Sequence, residues 1–304
     1  MGVNERSYTG GRFALDIDGF NVGYMKKFSG LALEGDVVAN DLGPDNRQKK
    51  TVANWKWTPG KATIGIGMGK TMYDWIKAAF DKGYITKDGA LTSADFNYKA
   101  QSVLDFKRAL ITEVTVPKLD GSSKDAAYFD IGFEAEEVRW LKGGGEDIRG
   151  KIGPKQKQWL CSNFRVEIGG LPCTRVATVD SFTWKCAVAS DMCGIFVENS
   201  KHPAKVTVPD LKLGISMADH QAWADAAKKW FVDGIRKEDT DEMSGAITFL
   251  GPDMKTELGR IDLENIGFKK FSEEDREANS EKIARFNVEL YVEKMTFGLK
   301  EYDS

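Results

Sequence analysis

A chain of 304 residues suffices for one large domain or two ordinary ones, and 41% hydrophobic with 29% charged residues is a globular composition. The net charge of −3 excludes a molecule-wide basic signature for nucleic acid, and no apolar run approaches the roughly 18 residues of a membrane helix. The charge is unevenly shared: residues 1–160 hold 24 Lys/Arg against 21 Asp/Glu, net +3, and residues 161–304 hold 19 against 25, net −6.

In chain order, the opening "MGVNERSYTGGRF" lacks the apolar centre of a signal peptide. Arg6 stands where a myristoylation signal wants Ser or Thr. "FALDIDGFNVGYMKKFSGLALE", from Phe13, reads as an alternating strand, a glycine turn and a second strand. Glu34 to Lys50 reads as a long loop. "WKWTPGKATIGIG" is then a strand running into a helix, whose Met72, Trp75, Ile76, Ala79 and Phe80 form one apolar stripe closed by Gly83. "ALITEVTVP" and "AYFDIGFEAEEVRW" follow as strands. Leu141 to Gln158 is a glycine- and charge-rich loop, and "KQKQWLC" the closing strand.

The pattern then starts again. "FRVEIGGLPCTRVATVDSFTWK" repeats the first strand pair, so that Phe13 meets Phe164, Ile17 meets Ile168 and Gly19 meets Gly170. Val188 to Lys205 answers the long loop, and "VTVPDLKLGIS" the strand before the helix. The second helix carries Trp223, Ala226, Ala227, Trp230 and Phe231 at the same spacing, with Gly234 beyond it. Met72, Trp75 and Ala79 become Trp223, Ala226 and Trp230, an exchange of large and small residues that keeps core volume roughly constant. Further on, "AITFLGP" is matched with "ALITEVTVP", "RIDLENIGFKKF" with "AYFDIGFEAEEVRW", and "IARFNVELYVEKMTF" with "KQKQWLC". "FSEEDREANSEK" reads as an exposed loop. Two segments matching at one offset point to a duplication. The expected fold is mainly β with α: two tandem β-barrel or sandwich domains, residues 1–160 and 161–304, each with one flanking helix.

Chemistry finds little purchase. "TIGIGMGKT" suggests a phosphate-binding loop, but Ile64 stands where its first glycine belongs, and Gly65 and Gly67 are out of register. The second copy reads "GISMADHQAW" at the same join and has no Lys-Thr. The glycines are read as a sharp turn into the helix. A P-loop-like NTPase remains a distant alternative that nucleotide binding by Lys70→Ala would decide. Cys161, Cys173, Cys186 and Cys193 form no CxxC pair and no metal-ligand spacing with His202 or His220. Neither histidine accompanies a nucleophile motif. Glu136-Glu137 and Glu273-Glu274-Asp275 read as solvated loop charge. Trp55, Trp57, Trp75, Trp223 and Trp230 read as core or interface rather than base-stacking platforms. The expectation is no enzyme, and no catalytic, cofactor or metal site.

In order, these segments resemble the tail tube proteins of contractile phage tails and related injection systems, type VI secretion tubes among them. The carriers are "FALDIDGF", then Phe28-Ser29-Gly30-Leu31 with Glu34, then "WTPGKATIGIG", then Tyr73-Asp74-Trp75-Ile76, and lastly "IDLENIGFKKF" with "ARFNVELYVEKMTFG". The second copy departs, with "VDSF" and "ADAA" in place of the "SGL" and "YDWI" wording. The resemblance implies a small β-barrel flanked by a helix, in six-membered rings that stack into a hollow tube. With two such domains per chain, three chains would complete a pseudo-hexameric ring. Alternating +3 and −6 units would give every lateral contact opposite partners. The long loop would reach the neighbouring ring, making Asp36, Asn40, Asp45, Arg47, Lys49 and Lys50, with Asp191 and Glu198 in its counterpart, the ring-stacking candidates. Met72, Trp75, Ile76, Phe80, Trp223, Trp230 and Phe231 would be core. The implied partners are further copies of the chain, then a sheath, baseplate or terminator protein, with DNA or effectors passing through the lumen without specific binding and no membrane anchor. The implied location is a virion tail assembled in host cytoplasm, or a cytoplasmic injection-system tube. A tube initiator, terminator or baseplate adaptor of the same fold is the alternative.

Overall fold

A computed structural model describes residues 11–41, 48–151, 159–191, 198–234, 242–274 and 283–300. The first half opens with β1 (Arg12–Ile17) and β2 (Phe20–Asn21), joined by Asp18 and Gly19 at φ 51° and 80°. Two successive positive φ values make the tight mirror-image turn that suits the strand twist. Next come β3 (Met25–Ser29), β4 (Leu33–Asp41), β5 (Gln48–Trp57), β6 (Gly60–Ile64) and helix α1 (Lys70–Phe80). β7 (Lys87–Ala94), β8 (Ala100–Val116), β9 (Leu119–Asp120), β10 (Phe129–Glu134) and β11 (Glu137–Lys142) follow. The second half holds β12 (Phe164–Ile168), β13 (Val176–Val179), β14 (Phe182–Asp191), β15 (Ser200–Thr207), β16 (Leu211–Ser216), α2 (His220–Phe231), β17 (Met243–Leu250), β18 (Glu257–Glu273) and β19 (Arg285–Leu299).

The fold is mainly β, and its two large sheets are curled. One runs β2-β1-β7-β8-β10-β6-β3, with β11 also on β8 and the β14–β15 pair attached to β8. The other runs β12-β17-β18-β19-β16-β13-β9, and β4–β5 forms a separate two-stranded arm. The order β1-β7-β8-β10-β6-β3 in the first half thus recurs as β12-β17-β18-β19-β16-β13 in the second. The 15-residue β19 takes the place of β10 and β11 together. Even the irregularities recur. The ladder slips at Met25/Lys27 and at Val176/Thr178, at Gly35/Val37 and at Cys186/Val188, and at Gly132/Phe133 and at Phe268/Lys270. A bulge is a defined feature of a strand and not noise, so these coincidences fix the correspondence residue by residue. Met25 answers to Val176, an offset of 151, which holds through β15 and β16. Beyond the helices the offset is 156 for β7 and 157 from β8 onward, so that Lys87 answers to Met243 and Phe133 to Leu290.

The halves interlock. β14 adds to β8 with Phe182 opposite Val116 and Lys185 opposite Glu113. β9 of the first half seals the edge of β13. A continuous apolar core crosses the junction, where Phe129, Trp159 and Phe249 pack with ring centres 4.6–5.7 Å apart. Helix α1 buries Met72, Trp75, Ile76, Ala79 and Phe80, and Trp75 Nε1 donates to Ile85 O at 2.9 Å. In α2, Trp223, Ala227 and Trp230 are buried, whereas Phe231 stands partly exposed and not in the core.

Several expected boundaries are corrected. The described residues between Glu34 and Lys50 are not loop but strand, in β4 and β5, and those between Val188 and Lys205 lie in β14 and β15 apart from 198–199. Every described side chain of β5 but the last is exposed, and a strand wetted on both faces shows none of the alternation that betrays one. After the helices the matching was one strand out. β18 ("RIDLENIGFKKF") answers to β8 ("ALITEVTVP"), and β19 answers to β10 and β11. The cause is β7, "KDGALTSA", whose Gly, Asp, Ala and Ser hide a strand. "KQKQWLC" forms no closing strand in its described part, where Leu160 makes a single bridge to Ala126. Past α1, Lys82 and not Gly83 takes the left-handed conformation, at φ 59°. Gly234 takes it past α2, at φ 70°.

Candidate assembly surface

The two arms carry the most distinctive surface. The β4–β5 arm holds Leu33, Val37, Val38, Val52 and Trp55 exposed to solvent, apolar groups distributed over both its faces, and such exposed apolar surface marks an interaction site. Trp55 stacks edge-on against Trp57, and Trp57 against Trp140 of β11, at 5.8 and 5.2 Å. Lys56 bridges Glu34 and Asp36 at 3.8 and 3.7 Å. Such exposed pairs orient the strand more than they stabilise it.

The β14–β15 arm is docked instead. Trp184 is buried against Phe80, their rings stacked at 5.1 Å. Lys201 clamps the outer strand: its N–H donates to Glu136 Oε1 at 2.7 Å and its Nζ to Glu134 at 2.8 Å. Arg108 completes the clamp through an ion pair to Glu136, which pushes the Arg108 pKa up, chiefly through that hydrogen bond. Glu136 is therefore buried, not the solvated loop charge expected, and Glu137 opens β11. A groove of about 500 Å³ separates the two arms, with Glu34, Asp36, Trp55, Glu134, Glu198 and Lys201 among its walls.

Among the expected ring-stacking residues, Asp36 and Glu198 thus share one groove. Asn40 faces Lys49 in the arm ladder, Lys50 faces Ala39, and Asp191 ends β14 opposite Ser200. Asp45 and Arg47 lie outside the described residues, as do Asp275 and Cys193. The Lys201–Glu134–Glu136–Arg108 cluster was missed, because nothing in the local sequence sets Glu136 apart from an ordinary surface acid.

The glycine loop before α1 is shaped for packing. Gly69 N–H donates to Val22 O at 2.9 Å, so this amide is not presented to a phosphate. A Cβ on Gly69 would lie 2.5 Å from Asn21 O, which explains the glycine. Lys70 pairs with Asp74 one turn on. Burial raises the thiol pKa of Cys161, Cys173 and Cys186, each a free cysteine, and holds them protonated. A cavity of about 890 Å³ beside β12 is walled by Arg165, Glu167, Arg260 and Asp262, ion-paired as Arg165–Glu167 and Arg260–Asp262. No group of His, Cys, Asp and Glu fit to hold a metal occurs among the described residues.

The molecule is thus a mainly β scaffold whose organised surfaces are strand edges and arms. Residues 10–139 match the T4-like virus tail tube protein gp19 family, a family of structural proteins and not of enzymes. The chain resembles phage tail tube and contractile injection system proteins. Among solved structures, it is similar to the sheath-tube complex of the extracellular contractile injection system PVC in its extended state. The identity there is 21%, covering 46% of this chain and 94% of that one, with a TM-score of 0.40. It is similar to the tube-terminating cap of the anti-feeding prophage at 21% identity, covering 47% and 95%, with a TM-score of 0.39. For the baseplate of the anti-feeding prophage the values are 17%, 45% and 94%, with a TM-score of 0.35. No curated protein matches the chain.

Proposed function

We propose that this chain is a structural tail tube protein whose three copies form a pseudo-hexameric ring. The rings stack into a hollow tube that conducts DNA or effector proteins. The family match over residues 10–139 carries the reading. The recurrence of one strand-pairing order in both halves supports its extension to the rest of the chain. If the two halves descend from a tandem duplication of a tube unit, each chain fills two of six positions. Function is then mechanical: strand edges join units laterally, arms engage above and below, and nothing is turned over. A sheath would surround such a tube, and a baseplate and terminator would bound it.

Electron microscopy of the purified protein under negative stain tests this directly. Stacked hollow rings, with three chains per ring by mass measurement, are the expected result. Single rings that never stack would favour the adaptor or terminator role. Dispersed monomers at all concentrations would overturn the proposal.

A further inference from the structure

Because the two halves correspond residue by residue, the contacts between them specify the contacts between copies. Within one chain, β14 of the second half adds to β8 of the first, with Phe182, Thr183, Trp184 and Lys185 opposite Val116, Thr115, Val114 and Glu113. The counterparts of Thr183 to Lys185 are Ala32, Leu33 and Glu34. The counterparts of Glu113 to Thr115 are Lys270, Phe271 and Ser272. Within the chain these counterparts do not meet: among the described residues β4 pairs only with β5. β18 pairs with β17 only as far as Ile266, so from Gly267 to Glu273 that edge carries no strand among the described residues. A half-paired strand and an open edge in matching positions are the two sides of a strand addition.

The side chains agree. Phe80 sits in a cluster across the halves with Trp184 and Phe297, at 5.1 and 5.9 Å, and the three are 6%, 2% and 2% exposed. Their counterparts are Phe231, Leu33 and Trp140, which are 38%, 50% and 62% exposed. The same three repeat positions thus form a buried cluster in one setting and three exposed apolar groups in the other. Charge also alternates. Across β14, β8, β10 and β6 the row reads Lys185, Glu113, Gly132, Lys61. Across β18, β19 and β16 it reads Lys270, Glu289, Lys212, so a neighbouring Glu34 continues the alternation.

We infer that β4 of one copy adds antiparallel to the Lys270–Ser272 edge of β18 in the next. Glu34 then lies opposite Lys270, Leu33 opposite Phe271 and Ala32 opposite Ser272, and Phe231 of the copy that offers β18 is covered by Leu33 and Trp140 of the copy that offers β4. The interface is heterologous, so a closed ring or an open chain follows from the angle alone. The inference rests on the ring-forming part of the proposed function and adds its register.

Disulfide trapping tests it. The Thr115 and Thr183 hydroxyls, at the corresponding inner position, touch at 2.9 Å. Directly opposed residues in an antiparallel pair have Cα atoms roughly 4.5–5.5 Å apart, inside the roughly 4.4–6.8 Å a disulfide spans. Ala32→Cys and Ser272→Cys in one chain should give, on mild oxidation, covalent multimers that reduction dissolves. A mixture of the two single variants should give dimers only, and each variant alone none beyond wild type. Independently, Glu34→Lys should weaken association roughly tenfold and Lys270→Glu likewise, with the double reversal restoring it. Assembled rings with no trapping and no charge rescue would overturn this register while leaving the tube reading intact. Trapped chains that never close would uphold the register and sink the ring. Monomers throughout would overturn both.

Discussion

The β4–β5 and β14–β15 arms are the same object in two surroundings. They share one ladder register and one bulge. One lies on β8 with its inner tryptophan buried, and the other carries a half-exposed leucine at that position. A strand pair with no third neighbour has little to bury, and two strands alone are marginal in water. The difference therefore comes from what the rest of the molecule supplies, not from the arm: β8 of the first half takes up β14 of the second, whereas among the described residues β18 of the second half takes up no strand of the first. The comparison teaches that an exposed apolar face can be read against its own buried counterpart when a fold repeats.

The sharpest way to break the comparison is to truncate the same position in both arms. Trp184→Ala empties a site between the halves and should lower unfolding stability by about 3–5 kcal/mol, seen as a lower denaturant midpoint. Leu33→Ala removes an exposed side chain and should change the stability of the isolated chain by less than about 0.5 kcal/mol. Its effect should appear in sedimentation or mass photometry, as association weakened with concentration. Equal destabilisation by both variants would mean that the arms are docked alike in solution.

The turn into each arm gives a second, smaller contrast. Gly30 has φ +92°, and a Cβ there would lie 1.9 Å from Pro59 O, a backbone atom with nowhere to go. Ser181 occupies the corresponding place before β14, and its hydroxyl donates to Val116 O at 2.9 Å. Gly30→Ala should cost on the order of 2–3 kcal/mol through left-handed strain and displaced backbone. Ser181→Ala should cost about 1 kcal/mol, the worth of one hydrogen bond. Thermal unfolding of the two variants side by side would check the ranking.

The sequence shows those parts of this architecture that rest on local periodicity. Strand β1 and its Gly19 turn, the α1 stripe at Met72, Trp75 and Ile76, and the β18–β19 pair all carry the signal of a face turned to a core. What escapes is settled at long range. β5 is a strand exposed on both faces, so its composition reads as loop. β7 is built from small residues, and overlooking it displaced the matching of every later strand. Glu136 is buried because Lys201, 65 positions on, brings its N–H to it. Phe231 fits the apolar stripe by spacing but has no element covering it among the described residues. Asp36 is read from the sequence as part of a long loop, and the groove it shares with Glu198 exists only once both arms are folded.

The edge strands beside the arms repeat the contrast at its weakest. β13 is sealed by β9, with Asp120 opposite Thr178 and Leu119 opposite Val179, whereas β3 is paired on one side only among the described residues. Asp120 holds β9 in its turn by accepting from the Ser122 hydroxyl at 2.6 Å and from the Ser122 N–H at 2.9 Å. Those bonds, the hydroxyl's first, hold the carboxyl below its ordinary pKa of 3.8. A depressed folded pKa contributes stability that is fully present above the unfolded value and is lost as pH falls through the folded one. The β9 seal should therefore loosen only in acid, below about pH 4. Ser122→Ala removes the larger of the two causes and lets the folded pKa rise toward its ordinary value. The stability these bonds supply above about pH 4 is then lost, so Ser122→Ala should be slightly less stable at neutral pH, and its acid unfolding followed by circular dichroism should begin at higher pH than in the wild type. An unmoved acid limb would show that Asp120 does not guard this edge, and that β13 is held by β16 and by the continuation of its own chain into β14.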